Sequence, residues 1–171
     1  MAALVWDASG LHHAAKADRL DVLGDIAKAH DNVTTATVLA ELERYGLAEG
    51  VERSGWLRPV HVDGLDELSA LVRWLRLLSA GDHHRGEATV CAWAEVHGAV
   101  PIIDDAEARA AAVRGGLEVH GSLWVLAQGV RSGAIAASAA DGFADALARE
   151  GARFPFAGRG FSSWARDRGL L

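Results

Sequence analysis

Short apolar segments alternate with helix-like segments along this chain, and that alternation restricts the possible folds more than any other feature. The segments between the apolar runs carry apolar residues at i, i+3 and i+4 spacing, which is typical of amphipathic helices. Strands and helices that alternate within one domain predict an α/β fold. We therefore expect a three-layer α/β/α sandwich with a central, mainly parallel sheet. The predicted strands are Ala2–Trp6, Trp56–Val62, Val100–Ile103 and Leu117–His120.

The helix boundaries follow from capping residues and glycines. Asp18 is predicted to cap the second helix, and Thr34 or Thr35 the third. The helix Leu65–Leu78 is predicted to bury Leu68, Leu71, Val72, Leu75 and Leu78. The other predicted helices are Leu11–Ala17, Arg19–Ala29, Ala36–Tyr45, Glu87–His97, Ala106–Arg114, Ser122–Arg131 and Ser138–Glu150.

The length of 171 residues is that of one domain. We assign this domain to residues 1–150. Residues 151–171 are predicted to be an irregular aromatic tail that packs on the domain or on a partner, since Phe154, Phe156, Phe161 and Trp164 are too apolar to remain in water.

The charge and the apolar runs restrict the class of protein. A formal net charge of −6 has the wrong sign for a protein that binds nucleic acid by bulk electrostatics, so a polyanionic substrate requires a metal ion or a local basic patch. No apolar run approaches the roughly 20 residues of a membrane span. The first residues, M-A-A-L-V-W-D, lack the basic segment of a signal peptide, and Cys91 is the single cysteine. We therefore expect a cytoplasmic protein without an internal disulfide.

Acidic residues stand at positions that the predicted fold brings together. Asp7 ends the first strand, and Asp104 and Asp105 end a later one, so their side chains are expected at the same edge of the sheet. Glu87 opens a helix, and Glu41 lies in a mostly apolar helical stretch. A cluster of carboxylates favours Mg²⁺ or Mn²⁺, which prefer oxygen ligands. This pattern indicates a metal-dependent nuclease or phosphohydrolase.

Each acidic residue also has a purely structural interpretation. Asp7, Asp104 or Asp105 can form a turn or cap a helix, Glu87 can interact with a helix dipole, and Glu41 can pair with Arg44. A phosphatase of the haloacid dehalogenase type is set aside because it requires a second Asp where this chain has Ser9.

Several further features are assigned to the surface or to the core. The pairs His12-His13 and His83-His84 are interpreted as surface histidines, and Cys91 as a small buried residue. Arg73 and Arg76 with Trp74 between them are interpreted as the basic outer face of a helix, with an RNA-contacting surface as the alternative.

Five segments, taken in their order and spacing, resemble the PIN-domain nuclease superfamily, which includes toxin nucleases of VapC type. They run from Leu4 to Leu126. The segments are L-V-W-D-A-S-G-L with D-R-L-D-V-L, V-T-T-A-T-V-L-A-E-L, G-E-A-T-V-C-A-W-A, P-I-I-D-D-A-E-A-R and G-L-E-V-H-G-S-L-W-V-L.

The resemblance implies a function and a set of site residues. Asp7, Glu41 and Glu87 would be the first three acidic residues of the catalytic set, and Asp104 or Asp105 the fourth. Asp7, Glu87, Asp104 and Asp105 would bind Mg²⁺ or Mn²⁺. Ser9 matches a hydroxyl residue near the metal. The residues expected near the substrate are Ser9, Arg109 and Ser122, the last because backbone N–H groups at a helix start bind anions.

The implied activity is metal-dependent cleavage of RNA, with a toxin of a toxin–antitoxin pair as the specific expectation. RNA, an antitoxin protein and a second copy of the chain are the expected partners. Glu87 departs from the commoner toxin pattern, which has Asp at that position. The alternative is a non-catalytic PIN-like module that binds nucleic acid or another protein.

Overall fold

The computed structural model describes residues 2–78 and 84–171. Its centre is a four-stranded sheet in the order β3-β2-β1-β4, in which every neighbouring pair is parallel. The strands are β1 (Leu4–Trp6), β2 (Asn32–Thr35), β3 (Arg58–Val60) and β4 (Val100–Ile102).

The helices of the described residues surround this sheet. They are α1 (Ala8–Lys16), α2 (Leu20–Ala27), α3 (Ala36–Glu43), α4 (Ala48–Arg53), α5 (Leu65–Leu77), α6 (Arg85–His97), α7 (Ala106–Arg114), α8 (Ser122–Arg131), α9 (Ala137–Arg149) and α10 (Phe161–Asp167). None of these described helices is both long and apolar enough to cross a membrane.

The helices pack in two groups, which confirms the predicted α/β sandwich. In the first group α6 contacts β1, β2 and β4, and α5 packs on α6. In the second group α2 contacts α8, and α9 contacts α1, α8 and α10. The interior is apolar, with Val5, Trp6 and Val33 fully buried in the sheet. The two central strands, β1 and β2, are fully buried, whereas β3 at the edge exposes Arg58 and Pro59.

Several helix boundaries agree with the sequence prediction because their capping residues act as expected. The Thr35 hydroxyl accepts from the backbone N–H of Val38 at the start of α3. Gly98 ends α6 in the left-handed region at φ 63°, where a residue with a Cβ would be strained. The bounds predicted for α7 and α8 are confirmed.

The prediction missed β2, because the segment N-V-T-T is polar by composition. The polar side chains of β2 are buried, and hydrogen bonds within the protein replace those that they would form with water. The Asn32 side chain accepts from Trp6 Nε1 at 2.9 Å, and the Thr34 hydroxyl donates to the Trp6 carbonyl at 2.9 Å. The short helix α4 was also not predicted. The segment Leu117–His120 forms only an isolated bridge between His120 and Ile102, so a strand there is wrong.

Three further predictions are corrected. Asp18 does not cap α2; it has φ 54°, and the N-cap position belongs to Arg19. In α5 the residues Leu68 and Val72 are exposed, because Ala70 and Trp74 face the core instead. The tail is not wholly irregular, since it forms α10. Phe161, the first residue of α10, is fully buried.

Candidate functional site

Asp7 lies at the carboxyl end of β1 and forms the N-cap of α1. Its Oδ2 accepts from the backbone N–H of Ser9 at 3.4 Å and from the Ser9 hydroxyl at 3.3 Å. Its Oδ1 is buried and has no hydrogen-bond partner among the described residues. Burial raises the pKa of Asp7 to about 8, and the charges of Glu87 and Glu41 act in the same direction. A buried carboxyl group with one unpaired oxygen is costly unless a proton or a cation accompanies it.

Glu41 and Glu87 contribute the carboxylates next to Asp7. Glu87 is buried in the first turn of α6, and its Oε1 lies 3.4 Å from His84 Nδ1. Glu41 is half-buried on α3. Burial and the charge of Glu87 raise the pKa of Glu41, against the effect of the Gly86 backbone N–H and of two arginines, Arg44 and Arg85. Three carboxyl groups from three different elements therefore share one electrostatic environment.

Asp104 and Asp105 follow β4, but their side chains have different surroundings. Both Asp104 oxygens accept from the Ser122 hydroxyl, at 3.0 and 2.8 Å, and Oδ1 also accepts from the Ser122 backbone N–H at 2.7 Å. Asp104 Oδ2 lies 3.3 Å from the point that a Cβ at Gly10 would occupy, so this carboxylate lies against α1. Asp105 caps α7 by accepting from the Ala108 backbone N–H at 2.7 Å.

Arg109 and Ser122, both expected near the substrate, donate hydrogen bonds to other groups of the protein. Arg109 Nη1 donates to the carbonyl oxygens of Ile103 at 2.9 Å and of Asp104 at 2.5 Å, so its contacts are with the backbone between β4 and α7. Arg109, expected near the substrate, forms no hydrogen bond with the Asp105 side chain among the described residues. The Ser122 backbone N–H, predicted to bind an anion, donates to the Asp104 carboxylate.

Two adjoining cavities open on these residues. The first, about 360 Å³, is lined by Asp7, Glu41, Glu87, Arg44 and Tyr45 among others. The second, about 510 Å³, is lined by Asp104, Asp105 and Arg109 together with aromatic residues of α8 and the tail. Ser9 and His13 line both cavities, which places the two groups of carboxylates on either side of the start of α1.

The donor set fits a hard divalent cation. In residues 2–78 and 84–171 no three His, Cys, Asp or Glu side chains are close enough together to form a ready-made metal site. The unpaired Asp7 Oδ1 and the adjacent carboxylates of Glu41 and Glu87 are nevertheless oxygen donors of the kind that Mg²⁺ and Mn²⁺ take. A cation there would offset the repulsion that raises the pKa of Asp7.

His12 and His13, predicted to be surface histidines, are partly exposed, and both line the first cavity. Burial lowers the pKa of His13, although the charge of Asp104 opposes that effect. His13 and Asp104 line the second cavity together, a relation that only the fold shows. His83 lies outside the described residues.

The basic face of α5 agrees with its structural interpretation. Trp74 is buried and donates from Nε1 to Glu95 Oε2 at 2.7 Å, while Arg73 pairs with the same carboxylate. Trp74 is therefore not available to stack on RNA. Cys91 is fully buried, as predicted.

A family model described as a PIN domain matches residues 3–157, which is most of the chain. The match includes Asp7, Glu41, Glu87 and Asp104. No curated protein and no solved structure is significantly similar to the chain.

Proposed function

The chain belongs to the PIN-domain family, whose members are generally nucleases, and on that premise we propose that it is a metal-dependent endoribonuclease. It would hydrolyse phosphodiester bonds in RNA with Mg²⁺ or Mn²⁺ as cofactor. A role as the toxin of a toxin–antitoxin pair is part of the proposal, and a gene for a small antitoxin-like protein next to its own gene would support that role.

The observation that carries the proposal is the environment of Asp7. A fully buried carboxyl group with an unpaired oxygen has no structural benefit that a neutral residue would lack, since an Asn or Ser could also cap α1. Glu41 and Glu87 add charge at the same point. Keeping three acidic groups together is costly for folding, and a divalent cation is the ligand that would offset this cost.

We assign Asp7, Glu41 and Glu87 to one cation, and Asp104, on the other side of the start of α1, to the same ion or to a second one. When bound, a divalent cation offsets phosphodiester charge and lowers the pKa of a water molecule, which makes hydroxide available for attack on the phosphorus. Asp105 is assigned to the cap of α7 instead, because its side chain is exposed and accepts from the Ala108 backbone N–H.

Hydrogen-bonding neighbours would keep these carboxylates in position. Ser9 holds Asp7 through its backbone N–H and its hydroxyl, and Ser122 holds both oxygens of Asp104. Arg109 fixes the backbone that carries Asp104. These groups restrict side-chain rotation at the site, which is how outer residues usually support metal ligands.

Local arginines would attract the RNA backbone despite the net charge of −6. Arg44 lines the first cavity, and Arg109 and Arg153 line the second. Phosphate contacts from arginine are strong and can be bidentate. A basic rim around acidic ligands is the local patch that a polyanionic substrate requires.

We further propose that a second copy of the chain binds at an exposed apolar stripe on α5, defined as Leu65, Leu68 and Val72. These residues are 84%, 43% and 48% exposed and have the three–four spacing of a helix–helix seam. Acidic Asp66 lies in the first turn of α5 and Arg76 in the last. An antiparallel pair of α5 helices would place each acidic end beside a basic end.

The proposed function is tested by thermal unfolding with and without millimolar Mn²⁺, followed by cleavage of labelled single-stranded RNA. Mn²⁺ should raise the melting temperature of the wild type, because a ligand that binds the folded state stabilises it. Asp7→Asn should lose both the rise and the cleavage. Asp25→Asn, which changes an exposed carboxylate on α2, should retain both.

An unchanged melting temperature in every protein, without cleavage, would contradict the enzyme and favour the non-catalytic module. Binding of RNA without cleavage would indicate that the non-catalytic module binds nucleic acid.

A further inference from the structure

The second cavity is built partly by residues beyond the family match. The match ends at residue 157, whereas Trp164 and Leu170 of the tail line the cavity. Gly151 to Pro155 complete that side. The volume of about 510 Å³ lies within the roughly 300–1,000 Å³ that small-ligand pockets occupy. The tail thus forms one wall of an open cleft beside the carboxylates.

Aromatic rings form two sides of this cavity. On the α8 side, His120 stacks on Trp124 with ring centroids 4.0 Å apart and planes 3° apart. On the tail side, Phe154 stacks on Phe156 at 5.5 Å, and Phe156 contacts Trp164 at 5.6 Å. Rings that pack on one another in this way are held in fixed planes, so their free faces can receive a flat ligand.

Charged groups line the same cavity. Arg153 is exposed and forms no ion pair with another described residue. Arg109 uses Nη1 for backbone carbonyls, which orients the rest of its guanidinium group. Asp104 and Asp105 also line the cavity and supply acceptor oxygens. The cavity therefore combines flat apolar surfaces with donors for a phosphate and acceptors for N–H groups.

We propose that this cavity binds one nucleotide of the RNA strand, with its base against the aromatic side chains and its phosphate near Arg153. This inference rests on the proposed function and specifies how its substrate is held. Ser9 and His13 line both cavities, so a strand that follows α1 would pass directly from the nucleotide pocket to the Asp7 carboxylate.

The chemistry favours a nucleotide over a purely apolar ligand. An apolar ligand would leave Arg153 and Asp105 Oδ2, which takes no part in the cap of α7, unused, and a simple anion would not need the aromatic surfaces. Stacking on aromatic residues contributes to binding for every base. Amino groups on the edge of a base can in addition donate hydrogen bonds to carboxylates. A nucleotide is the ligand class that uses all three kinds of group.

The test is isothermal titration calorimetry of the full-length protein in EDTA, with gel analysis to verify that RNA remains intact. The ligands are adenosine monophosphate, ribose 5-phosphate and a short single-stranded oligoadenylate. We expect ribose 5-phosphate to bind roughly tenfold or more weakly than adenosine monophosphate, because it lacks the base. The oligoadenylate should bind more tightly than the mononucleotide and compete with it.

Two variants with a matched control localise the binding. Phe154→Leu keeps apolar bulk but removes the aromatic face, and should weaken binding of adenosine monophosphate about tenfold. Arg153→Gln should weaken both phosphate ligands several-fold. Arg166→Gln, which changes an exposed arginine of α10 outside the cavity, should leave every affinity unchanged.

Equal affinities for adenosine monophosphate and ribose 5-phosphate, or wild-type affinity in Phe154→Leu, would overturn the base pocket. Tighter binding of the mononucleotide than of the oligoadenylate would overturn the assignment to an RNA strand. If Phe154→Leu does not fold, the ligand comparison and the two arginine variants decide the question.

The measurements need no cleavage, so the two proposals can fail separately. Base-dependent binding by a protein that never cleaves RNA contradicts only the proposed enzyme. Cleavage by a protein without base-dependent binding contradicts only the pocket.

Discussion

Gly86 and Glu41 are so close that a Cβ at residue 86 would lie 2.7 Å from Glu41 Oε2 and 2.9 Å from Oε1. The absence of a side chain at Gly86 therefore allows α6 to approach the carboxylate of α3. The Gly86 backbone N–H also lowers the pKa of Glu41, which favours its charged form. Glu41 thus owes its position beside Glu87 to a glycine on another helix.

We predict that Gly86→Ala reduces RNA cleavage and Mn²⁺ affinity while leaving the fold intact. The new methyl group would displace the flexible end of Glu41, and alanine is a better helix former than glycine. Cleavage rates and calorimetric metal titration measure the effect. Gly50→Ala on α4 is the control, since a Cβ there meets no atom within 4 Å. If Gly86→Ala binds the metal as tightly as the wild type, Glu41 is not a metal ligand.

We predict that the metal-free protein loses stability as the pH rises from about 4 to about 8. In this range the folded state retains the Asp7 proton, because its pKa is raised to about 8, whereas the unfolded state loses it near the ordinary value of 3.8. The folded state binds more protons, so the free energy of unfolding falls with pH. The loss should be on the order of a few kcal/mol.

Melting temperatures between pH 5 and pH 8.5 in EDTA measure this effect. Asp7→Asn should show a flatter dependence and exceed the wild type at pH 8.5, whereas Asp25→Asn should retain the wild-type slope. Mn²⁺ should restore stability to the wild type at pH 8.5, because the cation replaces the proton. An equal slope in Asp7→Asn would mean that another group titrates.

We predict different outcomes for the adjacent residues Asp104 and Asp105. Asp104→Asn removes a charge that lies against α1, so Mn²⁺ affinity and cleavage should fall roughly tenfold or more. Asp105→Asn should retain most of the activity and stability, because asparagine caps a helix about as well as aspartate. The sequence alone left open which of the two is the fourth acidic residue. Loss of cleavage in Asp105→Asn with wild-type activity in Asp104→Asn would reverse the assignment.

We predict that Leu68→Lys dissociates a dimer formed through the α5 stripe. A charged residue in the centre of an apolar seam loses hydration without gaining a partner. Light scattering over a range of protein concentrations gives the mass of the particle. Val113→Lys is the control, because Val113 is 62% exposed on α7, away from the stripe. A monomeric wild type at every concentration would contradict the dimer.

The sequence by itself determined the class of fold and the positions of most acidic residues. Apolar runs such as Val100 to Ile103 and helical periodicity are local properties, so β4, α6, α7 and α8 were predicted close to their observed bounds. The expectation that Asp7 and Asp104 lie at one edge of the sheet required only that the strands be parallel. Local signals therefore sufficed to predict a candidate site at this edge of the sheet.

Only the tertiary structure decided which groups meet there. The strand β2 is polar in sequence and is held in the sheet by contacts of Asn32 and Thr34 with Trp6, twenty-six or more residues away. The distinction between Asp104 and Asp105 depends on Ser122, which lies on a later helix. The second cavity requires the tail to return to α8. Such contacts join residues far apart in the chain, and their geometry is set by packing, which no local pattern encodes.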